Sequence, residues 1–401
     1  MPTVSRVPAP HVREGVATLL AAGEVTAPCA VVDTSAFDHN ARRMAERAAG
    51  LPIRVASKSL RSVAALHRAL EHEGYRGILS YSVPEAIYLA REGFTDIVVA
   101  YPSVNAPAIK ELAGSEALRR AITLMVDCAE HLDLIERAAS GAGPVRVAID
   151  IDCSLRLPGV VIGPRRSPIH TPEAAGDLAR DIARRGTLRL VGAMGYEGQV
   201  ASVGDAEGGP KGAAMRLMRH TSMSQLVPRR AECVAAIREI SDLEFVNGGG
   251  TGSLGISALD SSLTELAAGS GFYTPAIFDH FSDVNHLAAA FFVCQVSRLP
   301  DRGWATVNSG GWIASGPPAP DRAPVPCYPA GLSYSPTEGA GEVQTPLRGR
   351  GTRGLRVGDP VWFRHAKAGE MTEHVASIVT VAPDGSHEQW DTYRGKGWTL
   401  R

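Results

Sequence analysis

None of the six cysteines (Cys29, Cys128, Cys153, Cys233, Cys294, Cys327) stands in a CxxC pair. That excludes a zinc knuckle and a thioredoxin-type redox motif. Long apolar runs are also missing. Residues 287–294 form a run of only eight, far below the ~20 residues that cross a bilayer. Neither sign of charge dominates, with 41 Lys and Arg against 42 Asp and Glu and a net charge of −1. No field is large enough to collect nucleic acid or an anionic membrane, so neither is an expected partner. Residues 1–16 carry charges and prolines but no apolar core of a secretion leader. With scattered cysteines, this leads to the expectation of a cytoplasmic protein with reduced thiols.

The 401 residues are 44% apolar and 21% charged, as in a globular chain of two or three domains. From residue 53 to about 270 a short β-rich run ends in a polar or glycine turn and a helical stretch follows. Eight such runs occur, at 53–57, 77–82, 96–101, 121–127, 145–152, 188–196, 243–249 and 265–270. Most are continuously apolar, as strands buried on both faces are. The stretches 59–74, 84–93 and 172–185 read as helices, the last behind Thr171 as N-cap. A helix over about 212–240 is expected to break at Pro228. Residues 200–225, with four glycines, are expected to form a loop over the site. The count of eight favours a (β/α)₈ barrel over an open doubly wound sheet, although the local pattern fits both.

After about residue 285 helical periodicity ends, and short β-rich runs alternate with Gly and Pro turns. The expected organisation is an N-terminal segment (1–35) pairing with a C-terminal β-domain (285–401), and a barrel (36–284) between them.

In such barrels the reactive groups sit at the C-terminal ends of strands. The first run ends in Ser57-Lys58, a lysine whose amine burial would free for Schiff-base chemistry. The last two runs end in Asn247-Gly248-Gly249-Gly250-Thr251-Gly252 and Ala268-Gly269-Ser270-Gly271. Glycine loops at these two places suit a phosphate, with Thr251 and Ser270 as hydroxyl donors. Gly250 to Gly255 also matches GxGxxG, but Asp260 and Glu265 follow too soon for a dinucleotide fold. The fifth and sixth runs add Arg156, Tyr196 and Gln199 to the same rim. A rim lysine, a phosphate cradle, an arginine and a tyrosine suggest a pyridoxal phosphate site. Asp150 and Asp152 read best as an ion-pair set holding Arg156 or a rim helix.

These residues resemble the fold-type III pyridoxal phosphate enzymes, within them the D-threonine aldolase and D-serine dehydratase branch, and most closely bacterial amino acid deaminase/aldolase or alanine racemase-like sequences. The motifs are Ser57-Lys58-Ser59, Tyr196-Glu197-Gly198-Gln199, Gly248 to Gly252, Arg166 to Pro172, Glu342 to Pro346, Phe363 to Glu370 and Thr392 to Gly395. The resemblance spans about 25–398. It implies an α/β barrel followed by an alanine racemase-like β-domain, in a homodimer. It implies pyridoxal 5'-phosphate bound to Lys58 as an internal aldimine, Arg156 against the phenolate oxygen and Tyr196 beside the ring. Gly249, Gly250, Thr251, Gly269 and Ser270 would hold the phosphate.

Two departures follow from the same resemblance. Gln199 stands where that branch has a histidine, and Gln is no general base. His365-x-Lys367 replaces a metal-binding pair, and an ammonium repels a cation, so no divalent metal is expected. Lys367 and Gln199 are then expected to meet the substrate, and His365 to move the proton. The resulting expectation is a lyase that cleaves or dehydrates a D-configured β-hydroxy amino acid. The alternative is a racemase or epimerase, with Tyr328 or Tyr334 as the second acid/base. A non-catalytic cofactor carrier fits poorly, because such proteins are usually single barrels.

Overall fold

All eight β-rich runs are strands of one closed parallel barrel in the computed structural model, which describes residues 6–139 and 142–398. The strands are Ile53–Ala56, Tyr75–Ser80, Ile97–Val99, Ile122–Val126, Val145–Asp150, Leu188–Gly195, Phe245–Gly248 and Glu265–Ala268. Each pairs with the next in sequence, and the eighth closes on the first through Leu266 opposite Ile53. The open-sheet alternative is thereby excluded.

Helices wrap the outside, and local signals set their starts. Thr171 Oγ1 accepts from Ala174 N at 3.2 Å ahead of Pro172–Arg184, and Ser82 Oγ accepts from Glu85 N at 3.2 Å ahead of Val83–Arg91. Inside, Val98, Met125, Ala148, Val191, Met194 and Phe245 fill the barrel. Below them Arg54, buried, pairs with Glu265 at 2.6 and 2.8 Å, and with Asp96 at 2.9 Å.

Two expectations fail. Gly209–Arg238 is one continuous helix with Pro228 inside it. The proline removes a backbone bond, at about 3 kcal/mol, but tertiary bonds hold the helix on both sides of it. Gln225 clamps the Arg156 backbone at 2.8 and 2.7 Å, and Arg229 and Arg230 donate to Ser154 O (2.8 Å) and Asp260 (2.7 Å). Most of the expected loop over 200–225 is therefore helix, leaving a short crossing at 202–208.

The second sheet has nine strands. Cys29–Asp33 lies in its middle, antiparallel to Ala290–Arg298 and parallel to Ser377–Val381. Residues 1–5 of the N-terminal segment lie outside the described residues. The sheet reaches the barrel mouth through residues 365–368. Ala276 N donates to His365 O at 3.0 Å and Ile277 N to Ala366 O at 3.1 Å. Among the described residues no helix is long and apolar enough to cross a membrane.

Candidate active site

A cavity of about 630 Å³ opens where the barrel strands end. Lys58 lies in a 3-10 turn, Ser57–Ser59, directly after the first strand, and its side chain is exposed to the cavity. Its Nζ donates to the Tyr101 hydroxyl at 3.1 Å. Tyr101 follows the third strand and also lines the cavity.

The two glycine loops meet in the same cavity. Thr251 Oγ1 accepts from Gly271 N at 3.0 Å and from Ser270 Oγ at 3.2 Å. Gly249 has φ +81°, a conformation that side chains resist. A Cβ on Gly269 would stand 2.5 Å from Ala56 O, so the loop after the eighth strand lies against the end of the first strand only because that atom is absent. Gly250, Thr251, Gly269 and Ser270 all line the cavity, as does Gly249.

Tyr196 lines the same cavity. Its hydroxyl lies 2.9 Å from Ser202 Oγ, and burial pushes its pKa up. Gln199 is buried beside it. Its Nε2 donates to Cys153 O at 2.7 Å, which leaves Oε1 as an acceptor without a partner. Lys367 enters from the second sheet and donates to Ser315 O at 3.4 Å. Burial lowers its pKa, Glu370 opposes this, and Arg322 and Lys58 add to the lowering.

Two expected site residues are elsewhere. Arg156 does not line the cavity. It sits on the hairpin Leu155–Leu157/Val160–Ile162, where Gln225 fixes its backbone and Asp152 takes its guanidinium at 3.0 Å. Asp152 thus holds Arg156, as the reading of the acid pair expects. The guanidiniums in the cavity are Arg165 and Arg166. Arg166 lies 5.5 Å from the Tyr101 ring centre and 5.7 Å from that of Tyr196. His365 is also absent from the lining. It is 2% exposed, and neither ring nitrogen has a hydrogen-bond partner. Burial, and then Arg364, lowers its pKa to about 3. A histidine so placed cannot exchange protons with a ligand in the cavity. Tyr328 and Tyr334 do not line it either. Arg13 covers the Tyr328 ring, and the Tyr334 hydroxyl donates to Pro324 O at 2.6 Å.

Some features escaped the sequence reading. Tyr101 ends the β-rich run 96–101, so the rule that located Lys58 also reaches it. Arg166 carried no such signal. Asp150 lies beside Arg166 in a small adjoining void of about 20 Å³. Burial, and then Asp127, raises its carboxyl pKa to about 7. Outside the cavity Asp127, Cys128 and His131 bring their ligand atoms within 4.8 Å of one another, with His131 Nδ1 3.0 Å from Asp127 Oδ1 and 3.3 Å from Cys128 Sγ.

The family model described as "Alanine racemase, N-terminal domain" matches residues 32–240. A 3-hydroxy-D-aspartate aldolase of Paracoccus denitrificans is 28% identical over 263 residues, 65% of this chain and 63% of the relative. The chain therefore spans just under two thirds of that relative's length. Among solved structures, a D-threonine aldolase from Filomicrobium marinum superposes with a TM-score of 0.78, at 23% identity, over 93% of this chain and 96% of the other. A D-threo-3-hydroxyaspartate dehydratase from Delftia sp. HT23 gives 0.71 at 20% identity, over 93% and 98%. At these identities the two structures establish the fold.

Proposed function

Because the chain belongs to the family defined by the alanine racemase N-terminal domain, we propose that its cavity holds pyridoxal phosphate and cleaves or dehydrates D-configured β-hydroxy amino acids. The observation that carries this reading is the placement of an exposed lysine, Lys58, in one cavity with two interlocked glycine loops. The kinship with 3-hydroxy-D-aspartate aldolase supports the substrate class.

The residues present fit the group. Gly249, Gly250, Thr251, Gly269 and Ser270 line the cavity together, with the hydroxyls of Thr251 and Ser270 side by side, and they would hold the phosphate. Lys58 is the amine that would bond the cofactor's aldehyde. Arg166, in place of Arg156, would hold the negative charge of its ring oxygen, and Tyr196 would flank the ring. Bound there, the cofactor supplies an electron sink for the α-carbon of an amino acid.

The chain supplies the rest. Lys367 carries a positive charge suited to a substrate carboxylate. Gln199 lines the cavity, held by the bond of Nε2 to Cys153 O, and would meet the substrate there. No lining residue among those described is an acid that would repel a carboxylate. A metal role for His365 and Lys367 has no support in the site, because the histidine does not line the cavity and the lysine repels cations. The reading extends to a cytoplasmic homodimer, the dimer on the family resemblance and the compartment on six unpaired thiols.

The test is an absorption spectrum of the purified protein and of Lys58→Ala. A band near about 420 nm that vanishes in the variant is the expected result. No band after addition of pyridoxal phosphate would overturn the reading. If the band is present, release of an aldehyde or keto acid from D-threonine, D-serine or D-phenylserine identifies the lyase. Deuterium uptake at the α-carbon without cleavage would identify a racemase instead.

A further inference from the structure

We propose that Tyr101 is the proton-transfer residue of this site, taking the β-hydroxyl proton of the substrate as its Cα–Cβ bond breaks. The inference rests on the aldolase form of the lyase reading and deepens it by naming the base.

Position is the first support. The Tyr101 oxygen accepts a hydrogen bond from Lys58 Nζ at 3.1 Å, so it stands beside the amine that anchors the chemistry. Both side chains line the same cavity, so Tyr101 shares the space in which a substrate held at Lys58 would present its hydroxyl.

Elimination is the second. No histidine, aspartate or glutamate lines the cavity among the described residues. His365 is sealed off, and Gln199 carries no exchangeable charge. Asp150 faces the separate small void behind Arg166. With Lys58 engaged, the lining groups able to accept a proton are Tyr101, Tyr196 and Lys367. Tyr196 is tied to Ser202, and Lys367 points its ammonium at Ser315 O.

Electrostatics is the third. Three charged groups act on the Tyr101 phenol: Lys58, Arg166 and Asp150. Burial and Asp150 oppose the phenolate. Lys58 and Arg166 favour it and prevail, so the phenol is held below its ordinary value. Arg166 favours the phenolate throughout, and Lys58 adds to it whenever its amine is free of the cofactor, in a cavity lined by no carboxylate among the described residues.

The hydroxyl O–H bond breaks and its proton passes to the Tyr101 oxygen. The oxygen's electron pair forms the carbonyl as Cα–Cβ breaks, and an aldehyde leaves. The pair from the broken bond would remain with Cα, for which the cofactor, when bound, would supply the electron sink. The same proton, returned to Cα, completes glycine.

The experiment uses the holoenzyme with D-threonine and D-phenylserine. Tyr101→Phe is expected to lower kcat for cleavage by about 10²–10⁴-fold while the cofactor's absorption band persists. As base, the phenol must be ionised, so wild-type kcat rises with pH through its pKa. Tyr101→Phe loses that limb, and it also loses the most acidic tyrosine from the tyrosinate ultraviolet difference spectrum. Arg166→Gln removes one of the two favouring cations and moves the limb to higher pH. Lys367→Met leaves the limb in place. Cleavage by Tyr101→Phe within about threefold of wild type, an unmoved limb in Arg166→Gln, or loss of the limb in Lys367→Met each overturns the proposal. Wild-type enzyme that cleaves neither substrate overturns the aldolase reading and the proposal with it, whereas cleavage that survives in Tyr101→Phe overturns the proposal alone.

Discussion

Glu197 and Arg230 form an ion pair with no solvent on either side chain, the guanidinium 3.3 Å from the carboxylate. The same carboxylate accepts from Gly249 N at 3.3 Å, from Ser253 Oγ at 3.0 Å and from Ser257 Oγ. Arg230 is held from its other side by Asp260 at 2.7 Å. The glycine loop is thus fixed from below by a buried acid, and that acid by an arginine of the helix containing Pro228. Removing one partner of a buried pair typically costs about 3–5 kcal/mol. Glu197→Gln is expected to lower the denaturant-unfolding free energy by about 3 kcal/mol and to speed cofactor release. Asp260→Asn is expected to lose similar stability with less effect on release, because Asp260 does not touch Gly249. Equal release rates in wild type and Glu197→Gln would show that the loop needs no such anchor.

Arg166 and Arg156 make opposite predictions for cofactor affinity. Arg156 is paired with Asp152 and partly exposed, an arrangement worth about 0–1 kcal/mol. Arg166 lies in the cavity over two tyrosine rings. A charge-assisted bond to the cofactor is worth about 1.5–3 kcal/mol. Arg166→Ala is therefore expected to weaken pyridoxal phosphate binding to the apoprotein about 10- to 100-fold. Arg156→Ala is expected to change it by less than about threefold. A fluorescence titration with the cofactor separates the two, and the reverse order would return the role to Arg156.

Why one arginine was legible and the other was not is a matter of range. The barrel strands announce themselves as apolar runs because burial on both faces is recorded residue by residue. Lys58, Gly249 and Ser270 follow, because the rule that locates chemistry acts on strand ends. Tyr101 was within reach of that rule. Arg156 stays out of the cavity: Asp152 takes its guanidinium, and Gln225, about 70 residues away, clamps its backbone. No local pattern records that contact. Pro228 fails for a similar reason, since the backbone rule is outweighed by tertiary bonds on both sides of it. His365 and Lys367 are two residues apart, yet only the lysine reaches the cavity. The chain leaves its strand at Arg364 and docks its backbone on Ala276 and Ile277, sealing the histidine beneath.

The burial of His365 gives a stability signature that distinguishes an interior histidine from a proton-transfer residue. Its folded pKa is about 3, lowered by burial and then by Arg364, against 6.5 for the exposed ring. The unfolded chain therefore binds a proton below pH 6.5 that the folded chain refuses. The neutral ring's contribution is fully present above pH 6.5 and is lost as pH falls toward 3, at about 1.4 kcal/mol per pH unit. His286, also buried and with pKa lowered to about 3, adds a parallel loss of the same sign. Between pH 6.5 and 5.0 the His365 share is about 2 kcal/mol. Guanidinium unfolding at pH 7.5 and 5.0 should show wild type losing about 2 kcal/mol more than His365→Leu over that interval. An equal loss in both proteins would mean that His365 takes up its proton in the folded state. It would then have access to solvent or to the cavity, and it would return as a rival to Tyr101 for the proton-transfer role.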